Sequence, residues 1–136
     1  DVLEVRRTLE ILAGEVACER ITPKLLEELK EAGEEFGRLK DAEDVNCLAD
    51  ADVRFHEIIY AATENDRLIH ILNNLREQMY RYRLEYLKDR GSRERLDREH
   101  NAIYTGIKNG DKKAVCDAVC IHIDNQEAAI LAGIRD

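Results

Sequence analysis

Residues 48–59, LADADVRFHEII, decide the fold, because their apolar positions repeat with the period of an α-helix. Leu48, Phe55 and Ile59 share one face of this predicted helix. Asp52 and His56 lie on the same face, one turn apart. An acid and an imidazole among apolar side chains are costly to bury unless something pairs them. The stretch therefore predicts a buried helix that has candidate functional residues among its packing residues.

The rest of the chain shows the same helical period. It predicts further helices over about residues 2–20, 23–40 and 66–89, and two more that Ser92 and Asp111 cap. Thr22 and Pro23 mark the start of the second helix, whereas Gly91 ends the fourth and Gly110 the fifth. No segment alternates with period two, so we expect an all-α antiparallel bundle of about six to seven helices.

Composition points to one globular domain over residues 1–136, because 44% of the residues are apolar and 37% are charged. The formal net charge of −8 disfavours contact between this segment and nucleic acid phosphates. No apolar run approaches the roughly 18 residues that span a bilayer. An apolar stripe starts almost at once, so we expect a segment of a longer cytoplasmic protein. Its four cysteines are expected to be reduced and mostly buried.

Two later histidines also stand on apolar helical stripes, His100 on the fifth predicted helix and His122 on the sixth. We expect them to meet Asp52 and His56 at a common centre in the bundle interior. Three imidazoles and one carboxylate suit zinc, nickel, manganese or iron better than calcium or magnesium. The residues by themselves also permit a second interpretation, in which the histidines are ordinary core residues.

Other motifs compete with this centre. Asp66 and His70 have the same spacing, but His70 lies off the apolar stripe of its helix, so a solvated pair is expected. Cys116 and Cys120 are one turn apart and lie well away from the histidine of their helix, so we interpret them as small core residues. The tyrosines and arginines of residues 80–86 scatter around their helix, which disfavours a nucleic-acid patch.

Six fragments of the chain form an ordered pattern. They are EVRRTLE at 4–10, DVRFH at 52–56, AATENDRL at 61–68, EHNAI at 99–103, Gly110-Asp111 and His122. In this order, and with 22 positions from His100 to His122, they resemble the FCD domain over essentially the whole chain. That domain is the C-terminal effector-binding domain of the FadR subfamily of GntR transcriptional regulators.

The resemblance implies that four side chains bind a divalent transition metal, namely Asp52, His56, His100 and His122. The metal would take a carboxylate of a small organic acid within a cavity inside the bundle. Arg6 matches the arginine of the family's first helix, whose guanidinium group can donate two parallel hydrogen bonds to a second pair of oxygens of the organic acid. Asn125, on the same side as His122, is placed to hydrogen-bond the ligand. The residues alone also permit a surface ion pair for Arg6 and a solvated amide for Asn125.

The resemblance also implies partners. In the family a winged helix-turn-helix domain precedes this one and binds DNA as part of a dimer. DNA contact would therefore run only through a domain that lies outside this sequence, and a homodimer is expected. Effector binding would shift the population of helix arrangements and so reposition the DNA-binding domains.

Two function classes stay open at this point. The first is a metal-dependent, carboxylate-sensing domain of a bacterial transcriptional regulator, which is not an enzyme. The alternative is a small helical metalloenzyme, a hydrolase that uses metal-bound water at the same site. That enzyme needs a general base, and Glu57 and Glu99 are the sequence neighbours of the ligands. Glu57 follows His56 by one residue and points about 100° away, which favours the first class.

Overall fold

Seven helices make up almost all of the chain that the structure describes. The structure is a computed structural model that covers residues 2–135, with the side chains of residues 2–132. The helices are α1 Val2–Arg20, α2 Pro23–Leu39, α3 Val45–Ala62, α4 Asp66–Gln78, α5 Tyr80–Leu87, α6 Arg90–Lys108 and α7 Lys112–Arg135. No strand occurs within residues 2–135, which confirms the all-α prediction. None of these helices is both long and apolar enough to cross a membrane.

α1 and α7 pack antiparallel. Arg6 near the start of α1 reaches Gln126 far along α7, while Gly14 later in α1 packs on Val115 near the start of α7. α6 also packs on α7, and α2 packs between α3 and α6. These pairings confirm the predicted antiparallel bundle and surround the face of α3 that carries Asp52.

The predicted caps are confirmed at two connections. Thr22 Oγ1 accepts a hydrogen bond from Leu25 N at 3.2 Å at the start of α2. Gly110 has a φ of +65° after the end of α6, in the left-handed region that glycine adopts without strain. Asp111 Oδ1 then accepts from Ala114 N at 3.1 Å and caps α7. Local sequence therefore determines where these helices start and end.

The single helix predicted over residues 66–89 is wrong, because the chain forms two helices there. Met79 has φ −95° and ψ 0° and separates α4 from α5. No glycine or proline marks this position, so sequence-based reasoning had no local signal for a break. The side chain of Met79 is buried, and Arg76 and Arg83 on its two sides both reach Asp52. The break between α4 and α5 therefore lies between two arginines that both contact Asp52 of α3.

The prediction that Gly91 ends the fourth helix and Ser92 caps the next is also wrong. Both residues lie in the first turn of α6, and Asp89 is its N-cap. Asp89 accepts hydrogen bonds from Gly91 N at 3.4 Å and from Ser92 Oγ at 2.9 Å. Aspartate caps as well as serine does, and its charge is favourable at a helix N-terminus.

A close approach of three helices holds the histidine-bearing segments in place. A β-carbon at Gly106 of α6 would lie 2.8 Å from Val115 Cγ2 and 3.2 Å from Val115 N in α7. A β-carbon at Gly14 of α1 would lie 2.9 Å from Val115 Cγ1. Glycine at these two positions therefore lets α1 and α6 pack tightly on α7, which brings His100 and His122 near each other.

Two apolar clusters fill the interior, one around Phe55 and one around Phe36. His100 lies between them: its ring stacks on Phe55 with centroids 4.3 Å apart and meets the Phe36 ring edge-on at 4.8 Å. The polar groups of the interior are therefore enclosed by apolar packing on both sides.

Candidate metal centre

Three of the four predicted ligands come together. α3 carries Asp52 and His56 on its buried face, and α6 brings His100 against them. Asp52 Oδ1 lies 3.2 Å from His56 Nε2 and 2.9 Å from His100 Nε2. One ligand atom from each residue lies within 4.8 Å of the other two, and each side chain is at most 2% exposed. These three residues form a compact, buried donor set.

α7 places His122 beside this group rather than within it. The His122 ring stacks on His56 with centroids 5.0 Å apart. Its Nδ1 lies 2.8 Å from Glu99 Oε1, whereas its Nε2 is buried without a hydrogen-bond partner. A histidine that donates from Nδ1 to a carboxylate keeps the lone pair of Nε2 free for a metal. His122 is thus oriented as a ligand, although its nitrogens are not among the atoms within 4.8 Å of one another.

The donor set fits a transition metal. Two buried ring nitrogens of the centre have no hydrogen-bond partner, namely His56 Nε2 and His122 Nε2. Buried polar atoms in native proteins are nearly always paired, so unpaired ones call for a partner such as an ion. Together with the Asp52 carboxylate these rings offer nitrogen and oxygen donors of the kind that divalent transition metals prefer.

The second oxygen of Asp52 faces two buried arginines that sequence-based reasoning missed. Arg76 Nη2 donates to Asp52 Oδ2 at 2.9 Å. Arg83 Nε lies 2.9 Å from the same oxygen but is not aligned for a hydrogen bond, so this contact is an ion pair only. A sequence signal was present, since both arginines follow apolar positions of one stripe, Leu72 and Met79, by four residues.

Burial and these partners set the charges of the centre. Burial alone would raise the pKa of Asp52, but His56 and Arg76 outweigh it and hold that pKa well below its usual range. Burial and then Arg76 lower the pKa of His56 well below its usual value, and burial lowers the pKa of His122. Burial and then Arg76 also lower the pKa of Arg83 to about 10. At neutral pH the centre thus holds a carboxylate, neutral imidazoles at His56 and His122, and arginine cations, and the first two are the forms that coordinate metals.

A buried hydrogen-bond chain links α1 to this centre. The Tyr60 hydroxyl donates to Glu10, and Arg76 Nη1 lies 3.5 Å from the same hydroxyl while its Nη2 holds Asp52. Burial raises the pKa of Tyr60, and Glu10 raises it further, so the phenol keeps its proton. Polar groups of α1, α3 and α4 are therefore connected to the carboxylate of Asp52.

The two predicted ligand-binding residues have different surroundings. Arg6 is 1% exposed and donates from Nη2 to Gln126 Oε1 at 2.7 Å, so it is an interior group rather than part of a surface ion pair. Asn125 is half-buried and donates from Nδ2 to Glu99 Oε2 at 2.6 Å. Because Glu99 in turn holds His122, Asn125 acts on the centre through Glu99 and is not simply solvated.

The interior space beside the centre is small. A cavity of about 10 Å³ lies between α1, α5 and α7 and is lined by Arg6, Arg83 and Gln126, among others. This volume holds about one water molecule. A small organic acid therefore enters this cavity only if lining side chains move.

The competing motifs lie outside this interior. Asp66 and His70 are both exposed, as predicted for a solvated pair. Cys116 and Cys120 are half-buried, and so are the other two cysteines, which corrects the expectation of mostly buried thiols. Neither pair belongs to the group of metal-ligating atoms found within the described part of the chain.

Comparison with known proteins gives a family and a fold. The sequence matches the FCD domain over residues 1–125. The HTH-type transcriptional regulator LutR of Bacillus subtilis (strain 168) is 32% identical over 131 residues, which are 93% of this chain and 59% of LutR. The chain therefore spans less than two thirds of the length of this relative. By its name LutR is a transcriptional regulator.

The solved structure of E. coli McbR/YncC is similar in fold. Its TM-score is 0.88 at 18% sequence identity, and the match covers 97% of this chain and 67% of that one. At this identity the likeness concerns the fold alone. From the match over residues 1–125 it follows that the chain belongs to the FCD domain family.

Proposed function

We propose that this chain is the effector-binding domain of a transcriptional regulator and that it recognises a small organic acid through a bound divalent transition metal. The observation that carries the proposal is the buried convergence of Asp52, His56 and His100, with His122 turned toward them. Membership of the FCD family and the identity to LutR support the regulatory role.

Each residue of the centre has a part in this proposal. Four side chains would hold the cation, which is zinc, nickel, manganese or iron: Asp52, His56, His100 and His122. A bound cation supplies a Lewis-acid position for an effector carboxylate. Arg76 keeps Asp52 ionised, and Glu99 keeps the tautomer of His122 that leaves Nε2 free. Arg6 contributes an interior guanidinium for oxygens of the effector.

The hydrogen-bond chain from Asp52 through Arg76 and Tyr60 to Glu10 offers a route for regulation. A change in the contacts of Asp52 alters the position of Arg76 and, through Tyr60, the packing of α1. Effector binding then favours one arrangement of the helices. In this proposal DNA is bound in the cytoplasm by a separate domain of a homodimeric regulator, and this domain biases its placement.

A hydrolase at the same centre is supported less well. Glu57 is exposed, and the two oxygens of Glu99 are engaged by His122 and Asn125. A general base must reach the proton that it abstracts, directly or through one water. Glu57 therefore lies at the surface rather than in the buried centre, and Glu99 is not free for that task.

Elemental analysis of the purified chain tests the proposal. We expect nearly one transition metal ion per chain, lost in His100→Ala and in His122→Ala. His70→Ala is the matched control and keeps the metal, because His70 is exposed. The midpoint of thermal unfolding of the metal-loaded chain should then rise with the concentration of small carboxylates by mass action. A chain that takes up no metal, even after reconstitution, contradicts the metal site, and a midpoint that no carboxylate raises contradicts the sensing role.

A further inference from the structure

An open groove between α2 and α6 reaches the wall of the candidate metal centre. The groove has a volume of about 640 Å³, and its wall includes His100 of α6 and Gly33 and Gly37 of α2. Because neither glycine has a side chain, α2 leaves this part of the bundle open. A β-carbon at Gly33 would lie 3.6 Å from the ring of Phe55, which stacks on His100. The groove therefore extends to the rings that cover the centre.

His100 has one ring nitrogen without a partner. Its Nε2 lies 2.9 Å from Asp52 Oδ1, whereas its Nδ1 is buried without a hydrogen bond. A neutral imidazole has one donor and one acceptor nitrogen, so Nδ1 keeps its lone pair when Nε2 donates to this carboxylate. Because Nε2 faces the centre and the residue forms part of the groove wall, Nδ1 is the nitrogen left for an ion that arrives through the groove.

Charged side chains of both signs line the groove. Glu34 and Asp97 supply carboxylates, whereas Lys30 and Arg98 supply cations, so the four formal charges cancel. Asp97 is already paired with Lys40 at 3.3 Å. Glu34 is exposed and forms no ion pair within residues 2–132. It is therefore the carboxylate that attracts an incoming cation without first losing another partner.

A second groove, of about 560 Å³, lies between α3, α4 and α5. Its wall includes the exposed carboxylates of Glu57 and Glu77, but also the buried Arg76 and Arg83, which both contact Asp52 Oδ2. A guanidinium group has no acceptor atom, and it repels a cation. This groove therefore offers no ligand atom at the point where an ion would have to pass toward Asp52.

We propose that the divalent metal ion reaches the centre through the α2–α6 groove, where Glu34 attracts it and His100 Nδ1 is its first ligand. This inference rests on the proposed function. The His100 ring is packed against Phe55 and Phe36, with centroids 4.3 and 4.8 Å away. Passage of the ion requires these rings to move, and binding that requires a conformational change is slower than free encounter.

Variants that narrow each groove test the route. Gly33→Leu adds a side chain to the α2–α6 groove, and Asn73→Leu adds apolar bulk to the α3–α4–α5 groove. Stopped-flow mixing with a zinc-responsive indicator measures zinc association and dissociation. Gly33→Leu should slow both about tenfold and leave the dissociation constant unchanged, because the ion enters and leaves by one route. Asn73→Leu is the matched control and should leave both rates unchanged.

The same rates separate a failure of the route from a failure of the metal site. Slower uptake in Asn73→Leu alone would overturn the route. A changed dissociation constant at an unaltered association rate in Gly33→Leu would also overturn it, since Gly33 would then act on the centre itself. Zinc binding at equal rates in all three chains would overturn this inference and leave the proposed function standing. A parent chain that binds no zinc would overturn both.

Charge variants test the route without adding bulk, which matters if Gly33→Leu fails to fold. Glu34→Gln should slow zinc association about fivefold at low salt, and less at high salt, because one attracting carboxylate is lost. Glu77→Gln removes an exposed carboxylate from the α3–α4–α5 groove and is the matched control. Equal association rates for the two variants would overturn the proposed entry through the α2–α6 groove.

Discussion

The chain contains two pairs of aspartate and histidine with the same spacing, one in α3 and one in α4. Asp52 and His56 are 0% and 2% exposed and meet His100 in the interior. Asp66 and His70 are both exposed, and His70 contacts Asn74 in its own helix at 3.3 Å. The spacing places both side chains of each pair on one helix face, and the surroundings of that face decide what the pair can do.

The physical reason for the difference is solvent. An exposed pair is screened by water and contributes about 0–1 kcal/mol to stability. A buried carboxylate is costly unless it is paired, and Asp52 has two histidines on one oxygen and two arginines on the other. Dense pairing of this kind keeps the carboxylate ionised where water cannot, and an ionised carboxylate beside neutral imidazoles is what a metal requires.

The largest expected effect is a difference in stability between a variant of Asp52 and the matching variant of Asp66. Asp52→Asn should lower the free energy of unfolding by about 3–5 kcal/mol, because it leaves buried arginine cations without their carboxylate. Asp66→Asn should lower it by at most about 1 kcal/mol, since Asp66 only favours the N-terminus of α4. Urea denaturation of chelator-treated protein measures both changes. Equal losses would mean that the buried aspartate is no better paired than the exposed one.

A second effect concerns the groups that orient the buried histidines. Glu99→Gln should weaken zinc affinity by about 10–100-fold, because His122 loses the carboxylate that fixes its tautomer and ring orientation. Glu57→Gln, an exposed position one residue after His56, is the matched control and should leave the affinity unchanged. Zinc titration against a competing chelator gives both constants. Identical zinc affinities for the two variants would show that Glu99 does not orient a metal-binding histidine.

The third effect is a pH dependence of stability that arises from the buried histidines. The pKa values of His56 and His122 lie below the usual 6.5 in the folded chain, so the unfolded chain binds more protons below that pH. The free energy of unfolding of the metal-free protein should therefore be highest above pH 6.5. It should fall as the pH drops from there to 5, by up to about 1.4 kcal/mol per pH unit for each histidine.

Denaturant titrations across this pH range, with a chelator present, provide the measurement. His56→Asn and His122→Asn should each make the dependence shallower, and His70→Asn, at an exposed position, is the matched control. If all three variants kept the slope of the parent chain, the buried histidines would not be the groups that titrate on unfolding.

Sequence-based reasoning selected the buried histidines that the fold brings near Asp52 and missed the arginines that pair with Asp52, and the physical reason is plain at particular residues. His100 and His122 were recognisable because each interrupts an apolar stripe. Arg76 and Arg83 also stand on such a stripe, but arginines are usually exposed, which disfavours an interior assignment. Their burial depends on Asp52, which lies 24 positions before Arg76 and in another helix.

The sequence by itself determined the helices, most of their caps and the candidate ligand residues, because these depend on interactions within a few residues along the chain. Only the tertiary structure decided the break at Met79, the pairing of Asp52 with arginines, and the orientation of His122 by Glu99. Those features arise between helices, where a buried charge is stabilised by whichever opposite charge or donor the packing brings near. The same packing distinguishes the α3 pair of aspartate and histidine from the α4 pair, whose spacing is identical.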